Sequence, residues 1–300
     1  MTTHIDALMR RPRLLLSLCA LFWAGNFVLG RAMHETIPPI GLAFWRWAGA
    51  CALVLPFVWR PLVREWPLLR ASFGRMLLLA LLGVSGFNTL VYLGLQTTTA
   101  TNSVLIQSTM PVQILLLNWL LFRAPVSGRE LLSILLSLAG VVLIITAGQP
   151  GRIYEGDWNR GQLWVLGAAM IWALYSVLLR WRPADLDPRA FLGFTLLAGW
   201  LALLPVYLFE HASGQTVSWN LPTLLTLAYV AIFPSALAYI FWNRGVAMVG
   251  ANAAGHFIHL MPVFGALMAV LLLGEVFGWH HAAGATLVAA AILSTLVGRR

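Results

Sequence analysis

The side chains able to do chemistry inside this chain are few, and each stands in apolar surroundings. Arg46 lies within IGLAFWRWAGACALVL. An arginine near a bilayer centre costs roughly 2.5–3.5 kcal/mol on insertion scales, so something must compensate it. Two roles stay open. It is either a cation that attracts a substrate carboxylate or lines an aqueous vestibule, or a structural arginine that snorkels or bonds helix-end carbonyls. His256 and His259, one turn before Pro262, share a helix face. Proton relay or substrate binding is one use of such a pair; hydrogen bonding to neighbouring helices is the other. No third ligand stands near them, so neither a metal site nor a cofactor is expected.

Amides and rings supply the remaining candidates. Trp23, Asn26 and Phe27 form one helical face, and 149 residues on the same positions hold Trp172, Tyr175 and Ser176. Ser85, Asn88, Thr89 and Tyr92 share a face of a third helix, Ser103 and Gln107 of a fourth, and Tyr239 and Trp242 stand in an eighth. Such a partly polar, aromatic wall suits a small zwitterionic or neutral substrate; plain packing is the alternative. Pro111 and Pro262 each remove a mid-helix hydrogen bond, as fixed kinks or as paired hinges.

The elements that must position these groups are membrane helices. Hydrophobic residues make up 60% of the 300 and charged ones 10%, against roughly 45–50% and about 25% in soluble domains. Ten stretches reach the length of about 20 apolar residues that a spanning helix needs. They run approximately over 13–31, 39–59, 75–95, 100–122, 129–147, 161–180, 190–209, 222–243, 252–273 and 281–297. The apolar run after Arg10, Arg11 and Arg13 could be a signal peptide, but the many equal runs that follow make it a span.

The net charge of +9 does not point to nucleic acid, because every basic residue is arginine and nearly all flank apolar runs. With the N-terminus inside, fifteen of the 19 fall in inner loops or ends, against Arg31, Arg152 and Arg160 outside and Arg46 within a span. Both termini are therefore expected in the cytoplasm. Cys19 and Cys51 sit in apolar segments and suggest packing, not a disulfide. All ten acidic residues read as loop or helix-end positions. That disfavours a cationic-drug/proton antiporter and leaves any proton coupling to His256 or His259.

The chain is also duplicated. Gly94, Ala100 and Met110-Pro111-Val112 fall on Gly245, Ala251 and Met261-Pro262-Val263 at an offset of 151, while Trp23, Ala24, Val28 and Arg31 fall on Trp172, Ala173, Val177 and Arg180 at 149. Residues 1–150 and 151–300 are then two five-helix repeats. An odd number of spans per repeat inverts the second in the membrane, an arrangement typical of secondary transporters with a midplane site.

FWAGNFVLGR at 22–31, the two MPV segments and LLLGEVFGWHHAAGATLVAAAIL at 271–293 carry a resemblance. The sequence resembles the EamA branch of the drug/metabolite transporter superfamily, and within it YddG-type bacterial amino-acid exporters. The resemblance implies a central cavity lined mainly by helices 1, 3, 4, 6, 8 and 9, with 5 and 10 behind, and amino acids moving outward across the bacterial inner membrane. Arg123-Ala124 stands in the first repeat where Gly274-Glu275 stands in the second. A local structural role is therefore expected for that pair.

The expected function is export of small metabolites, aromatic and other apolar amino acids first, by alternating access; nucleobases, sugars and drugs are the alternative cargoes. The expected partners are a small-molecule substrate and the bilayer, with no nucleic acid, in a monomer or homodimer. An intramembrane enzyme is disfavoured by the lack of HExxH, GxSxG, paired membrane aspartates or a histidine box. A channel or lipid-handling protein would differ in showing no trans-stimulated exchange.

Overall fold

The computed structural model describes residues 9–125, 127–149, 159–249, 257–258 and 260–296. Helix starts follow local chemistry. Pro12 and Pro39 open α1 (Pro12–Ala32) and α2 (Pro39–Arg64) in the first turn, where a missing N–H costs nothing. α2 outruns its expected end at 59 and carries Pro56 and Pro61. After the short α3 (Trp66–Ala71), α4 (Phe73–Ala80) and α5 (Phe87–Leu95) form one span through a π-helical turn, Leu81–Gly86. The Thr99 hydroxyl caps α6 (Ala100–Gln107), which is followed by α7 (Met110–Phe122). A reciprocal Ser127–Glu130 capping box opens α8 (Gly128–Ile145).

In the second half, Asn159, Asp187 and Asn220 cap α9 (Arg160–Leu178), α10 (Pro188–Ala212) and α11 (Leu221–Ala231). α11 runs through a second π-helical turn, Ile232–Leu237, into α12 (Ala238–Val249). α13 (Leu260–Leu273) and α14 (Trp279–Leu296) complete the described chain. No strand occurs among the described residues.

Among the described residues seven helices are long and apolar enough to cross a membrane, and α6 with α7 makes an eighth candidate bent by 41°. Phe57, Phe209 and Leu271 point their rings or side chains outward, which is stable only where the surrounding solvent is apolar. The protein is a multi-pass membrane protein.

Structural detail recurs at the sequence offset. The π-helical turns begin at Leu81 and Ile232, and left-handed helix ends occur at Arg123 (φ 50°) and Gly274 (φ 68°), both pairs 151 residues apart. Packing recurs too. α1 lies against α12 and α13, while its counterpart α9 lies against α5, α6 and α7; α2 packs on α10, and α8 on α14.

Two of these crossings depend on glycine pairs. A Cβ on Gly140 would lie 2.8 Å from the Gly284 carbonyl oxygen, and one on Gly284 would lie 2.9 Å from that of Gly140. Gly94 and Gly161 meet in the same way where α5 crosses the start of α9. Small residues let the backbones approach where no hydrophobic effect drives association. Gly140→Leu should therefore destabilise the protein by about 1–3 kcal/mol, read as a lowered melting temperature in detergent. Gly74→Ala, which meets nothing within 4 Å, should leave that temperature unchanged.

Candidate functional site

The site forms around Arg46, which α2 carries into the interior with 4% of its surface exposed. Its guanidinium is held by neutral oxygens. Nε donates to Ser235 Oγ at 2.8 Å. Nη1 donates to Asn88 Oδ1 at 2.6 Å and to Asn26 Oδ1 and Tyr92 OH at 3.0 Å each. The Tyr92 hydroxyl gives its own proton to Asn26 Oδ1 at 2.5 Å, which leaves its lone pairs for the arginine. The Trp47 ring stands 4.9 Å from the guanidinium carbon. Four expected residues, Asn26, Arg46, Asn88 and Tyr92, thus form one network joining α1, α2 and α5.

Ser235 brings the second half into it. It lies in the π-helical turn after α11, and its hydroxyl donates to the Val230 carbonyl, five residues back, at 2.7 Å. Pro234 beside it has no N–H to give a regular helix, and the wider turn accommodates that loss. The Pro234 carbonyl accepts from Trp23 Nε1 at 3.1 Å. Two ring clusters stand on the same spans: Trp23, bonded to the Pro234 carbonyl next to Ser235, meets Trp242 at 5.6 Å, and Phe87, next to Asn88 in the chain, meets Trp172 at 4.8 Å, which in turn meets Tyr175 at 5.2 Å. Tyr239 lies within electrostatic reach of Arg46, and Tyr175 within reach of Tyr239.

Other expected residues fall elsewhere. The faces of Trp23 and Trp172 do not stack on each other; each packs on the span of the opposite half that contains a π-helical turn. Ser176 bonds back to the Trp172 carbonyl at 2.8 Å, a local use. Gln107 is buried against α9, donating to the Val165 carbonyl at 3.3 Å with its Oε1 unpartnered, and joins no bond of the arginine network. His256 and His259 lie outside the described residues. A groove of about 440 Å³ lined by Ala48, Cys51, Leu55, Pro56, Trp59 and Trp200 opens on the face of α2 opposite Arg46, two to three turns along the helix.

Pro111 is not a mid-helix proline. α6 ends at Gln107, the residue whose carbonyl Pro111 cannot bond, and Pro111 itself sits in the first turn of α7. Ser108 and Thr109 at the break donate to the Leu105 and Ile106 carbonyls at 2.5 and 2.7 Å. The bend thus combines a proline that cannot bond the Gln107 carbonyl with two hydroxyl residues that satisfy carbonyls just before it. Pro262 lies in the first turn of the described part of α13.

Comparison with known proteins adds the decisive observation. The model of the EamA-like transporter family matches residues 11–146 and again 159–297. The chain belongs to the EamA-like transporter family. An uncharacterized transporter of Archaeoglobus fulgidus is 28% identical over 95% of this chain and 97% of its own. The Bacillus subtilis transporter YyaM is 28% identical over 81% of this chain and 80% of its own. A chloroplastic WAT1-related protein of Arabidopsis thaliana is 28% identical over 90% of this chain and 66% of its own. A solved crystal structure shares the fold, with a TM-score of 0.62 at 21% identity over 96% of this chain and 98% of that one.

The transporter holds three further functional contacts that its sequence did not announce. Glu275 Oε1 and Oε2 accept from the Ala100 and Thr101 N–H groups at 2.7 and 2.9 Å, capping α6. Its role is structural as expected, yet it reaches 175 residues back. Glu210 does the same for α2, accepting from Ile40 and Gly41 N–H at 3.0 and 2.6 Å. Beside Glu275, the Gly278 N–H donates to His281 Nδ1 at 2.9 Å, so Nε2 carries the proton and donates to Asn102 Oδ1, also 2.9 Å away. Ser235 did leave a signal: it stands 150 residues after Ser85, another mid-span serine.

At the opposite helix ends Arg64 meets Asp187 at 3.1 Å, and hydrogen bonds from Arg189 hold the Asp187 carboxyl below its ordinary range. Asn88→Leu, which removes the shortest bond to the buried cation, should destabilise the transporter by about 1.5–3 kcal/mol. Glu275→Gln should cost about 0.5–2 kcal/mol through the weakened cap. Both are read by thermal melting in detergent, with Glu35→Gln at an exposed position as the silent control.

Proposed function

We propose that the protein is a secondary transporter that exports small metabolites, with aromatic and other apolar amino acids as preferred cargo, by alternating access between two inverted five-helix units. The units are residues 1–150 and 151–300, giving ten spans with both termini in the cytoplasm of a bacterial inner-membrane protein. The exchange of packing partners between halves supports this most directly, with α1 on α12 and α13 and α9 on α5, α6 and α7. Two related units of an odd span number can keep such reciprocal contacts only about an axis in the membrane plane. The duplicated π-helical turns beside the arginine network give both units a non-ideal segment at the same depth.

In this mechanism cargo enters from the cytoplasm, docks between Trp23, Trp172, Tyr175, Tyr239 and Trp242, and leaves outward as the halves rock. The spans containing α6–α7 and α13 face each other, since a Cβ on Gly265 would lie 2.6 Å from Val104 Cγ1. The break at Ser108–Thr109, with Pro111 after it, serves as the bend on one side, and Pro262 marks its counterpart.

The test is counterflow in liposomes holding only the purified protein, preloaded with unlabelled phenylalanine and given labelled phenylalanine outside. Transient accumulation of label is expected. A cysteine pair at Val104 and Gly265, with Cys19 and Cys51 replaced, should abolish accumulation on oxidation and restore it on reduction. Accumulation undiminished by the completed cross-link would defeat the rocking mechanism, and no exchange of any amino acid by folded protein would defeat the cargo assignment.

A further inference from the structure

We propose that Arg46 is the docking point for the carboxylate of the cargo, received by its Nη2 nitrogen, so that the substrate class is small carboxylate-bearing molecules and not amines or neutral aromatics. The inference rests on the transporter reading above and assigns the chemistry of its site.

The network described above orients the guanidinium without neutralising it. Nε and Nη1 are saturated by Ser235, Asn26, Asn88 and Tyr92, all uncharged. Arg46 makes no ion pair among the described residues, and Nη2, with two N–H donors, has no hydrogen-bond partner among them. Nη2 is also absent from the fully enclosed polar atoms that lack partners, so it retains some accessible surface although the residue as a whole is only 4% exposed. A buried cation left this way favours an anion strongly.

The chain spends its own carboxylates elsewhere. Glu210 and Glu275 are committed to backbone N–H groups of α2 and α6. Glu65 and Asp187 are held by Arg64. With Nε and Nη1 engaged, Nη2 still offers two N–H donors on an undivided positive charge, so a carboxylate oxygen can take a single charge-assisted hydrogen bond there. The rings of Trp23, Trp242, Trp172 and Tyr175 then provide the apolar surroundings for the body of the cargo.

The experiment measures binding and needs no transport. Full-length protein in detergent is titrated with 3-phenylpropionate, phenethylamine, phenylalanine and phenylalanine methyl ester, read by tryptophan fluorescence and by thermal shift. The two carboxylates are expected to bind at least about tenfold more tightly than the amine and the ester. Arg46→Gln should erase that preference, and Arg46→Lys should retain part of it, which guards against a Gln variant that fails to fold. Equal affinity for acid and ester, survival of the preference in Arg46→Gln, or no binding of any carboxylate by folded wild type would each overturn the proposal. Carboxylate preference without phenylalanine counterflow would leave this inference standing and condemn the phenylalanine transport reading alone.

Discussion

The interior is organised by one unneutralised charge. A guanidinium in a bilayer-spanning helix must be surrounded by oxygens or it drives the helix out of register, and here four oxygens from three different spans converge on it. That requirement fixes α1, α5 and the turn after α11 around α2. It also explains the composition of the surrounding faces. Asn26, Asn88 and Tyr92 are each nearly inaccessible, and polar groups so placed persist only when bonded to one another.

The two π-helical turns meet the same demand for satisfied backbone inside the membrane. Each lies in the middle of a span, and the one at Ile232–Leu237 both relieves Pro234 and aims Ser235 and the Pro234 carbonyl at the first half. The one at Leu81–Gly86 contains Gly83, whose missing side chain makes room for the Tyr175 ring, and Ser85, which donates to the Gly199 carbonyl at 2.7 Å. In both copies the irregular backbone is therefore turned toward the other half. Irregular backbone at membrane depth is tolerated where protein covers it.

Duplication did not produce identical halves. Glu210 and Glu275 both come from the second half and both cap helices of the first, at the end of the bundle where α2 and α6 begin. The first half returns Ala124 at the position of Glu275, and at the other end the halves meet through the exposed Arg64–Asp187 pair. The charge-assisted bonds that the buried Glu210 and half-buried Glu275 make with helix N-termini hold more firmly than the exposed ion pair, so the two ends of the bundle are fastened unequally.

The sequence alone determined the membrane class, the positions of the seven membrane-length helices among the described residues, the 151-residue recurrence and the need to compensate Arg46, because hydropathy, proline and cap chemistry and a costly charge are all local properties. Span ends at Pro12, Pro39 and Gly128 were legible within a few residues for that reason. Three features were decided only by tertiary structure. The 41° bend between α6 and α7, and the Ser108 and Thr109 hydroxyls that bond carbonyls on the α6 side of Pro111, appear only in the folded chain. The partner of Glu275 lay in another helix 175 residues away. The fourth oxygen on Arg46 came from Ser235, 189 residues distant. Each depends on which helix ends or faces meet, and a hydrogen bond across that distance leaves no trace in local periodicity.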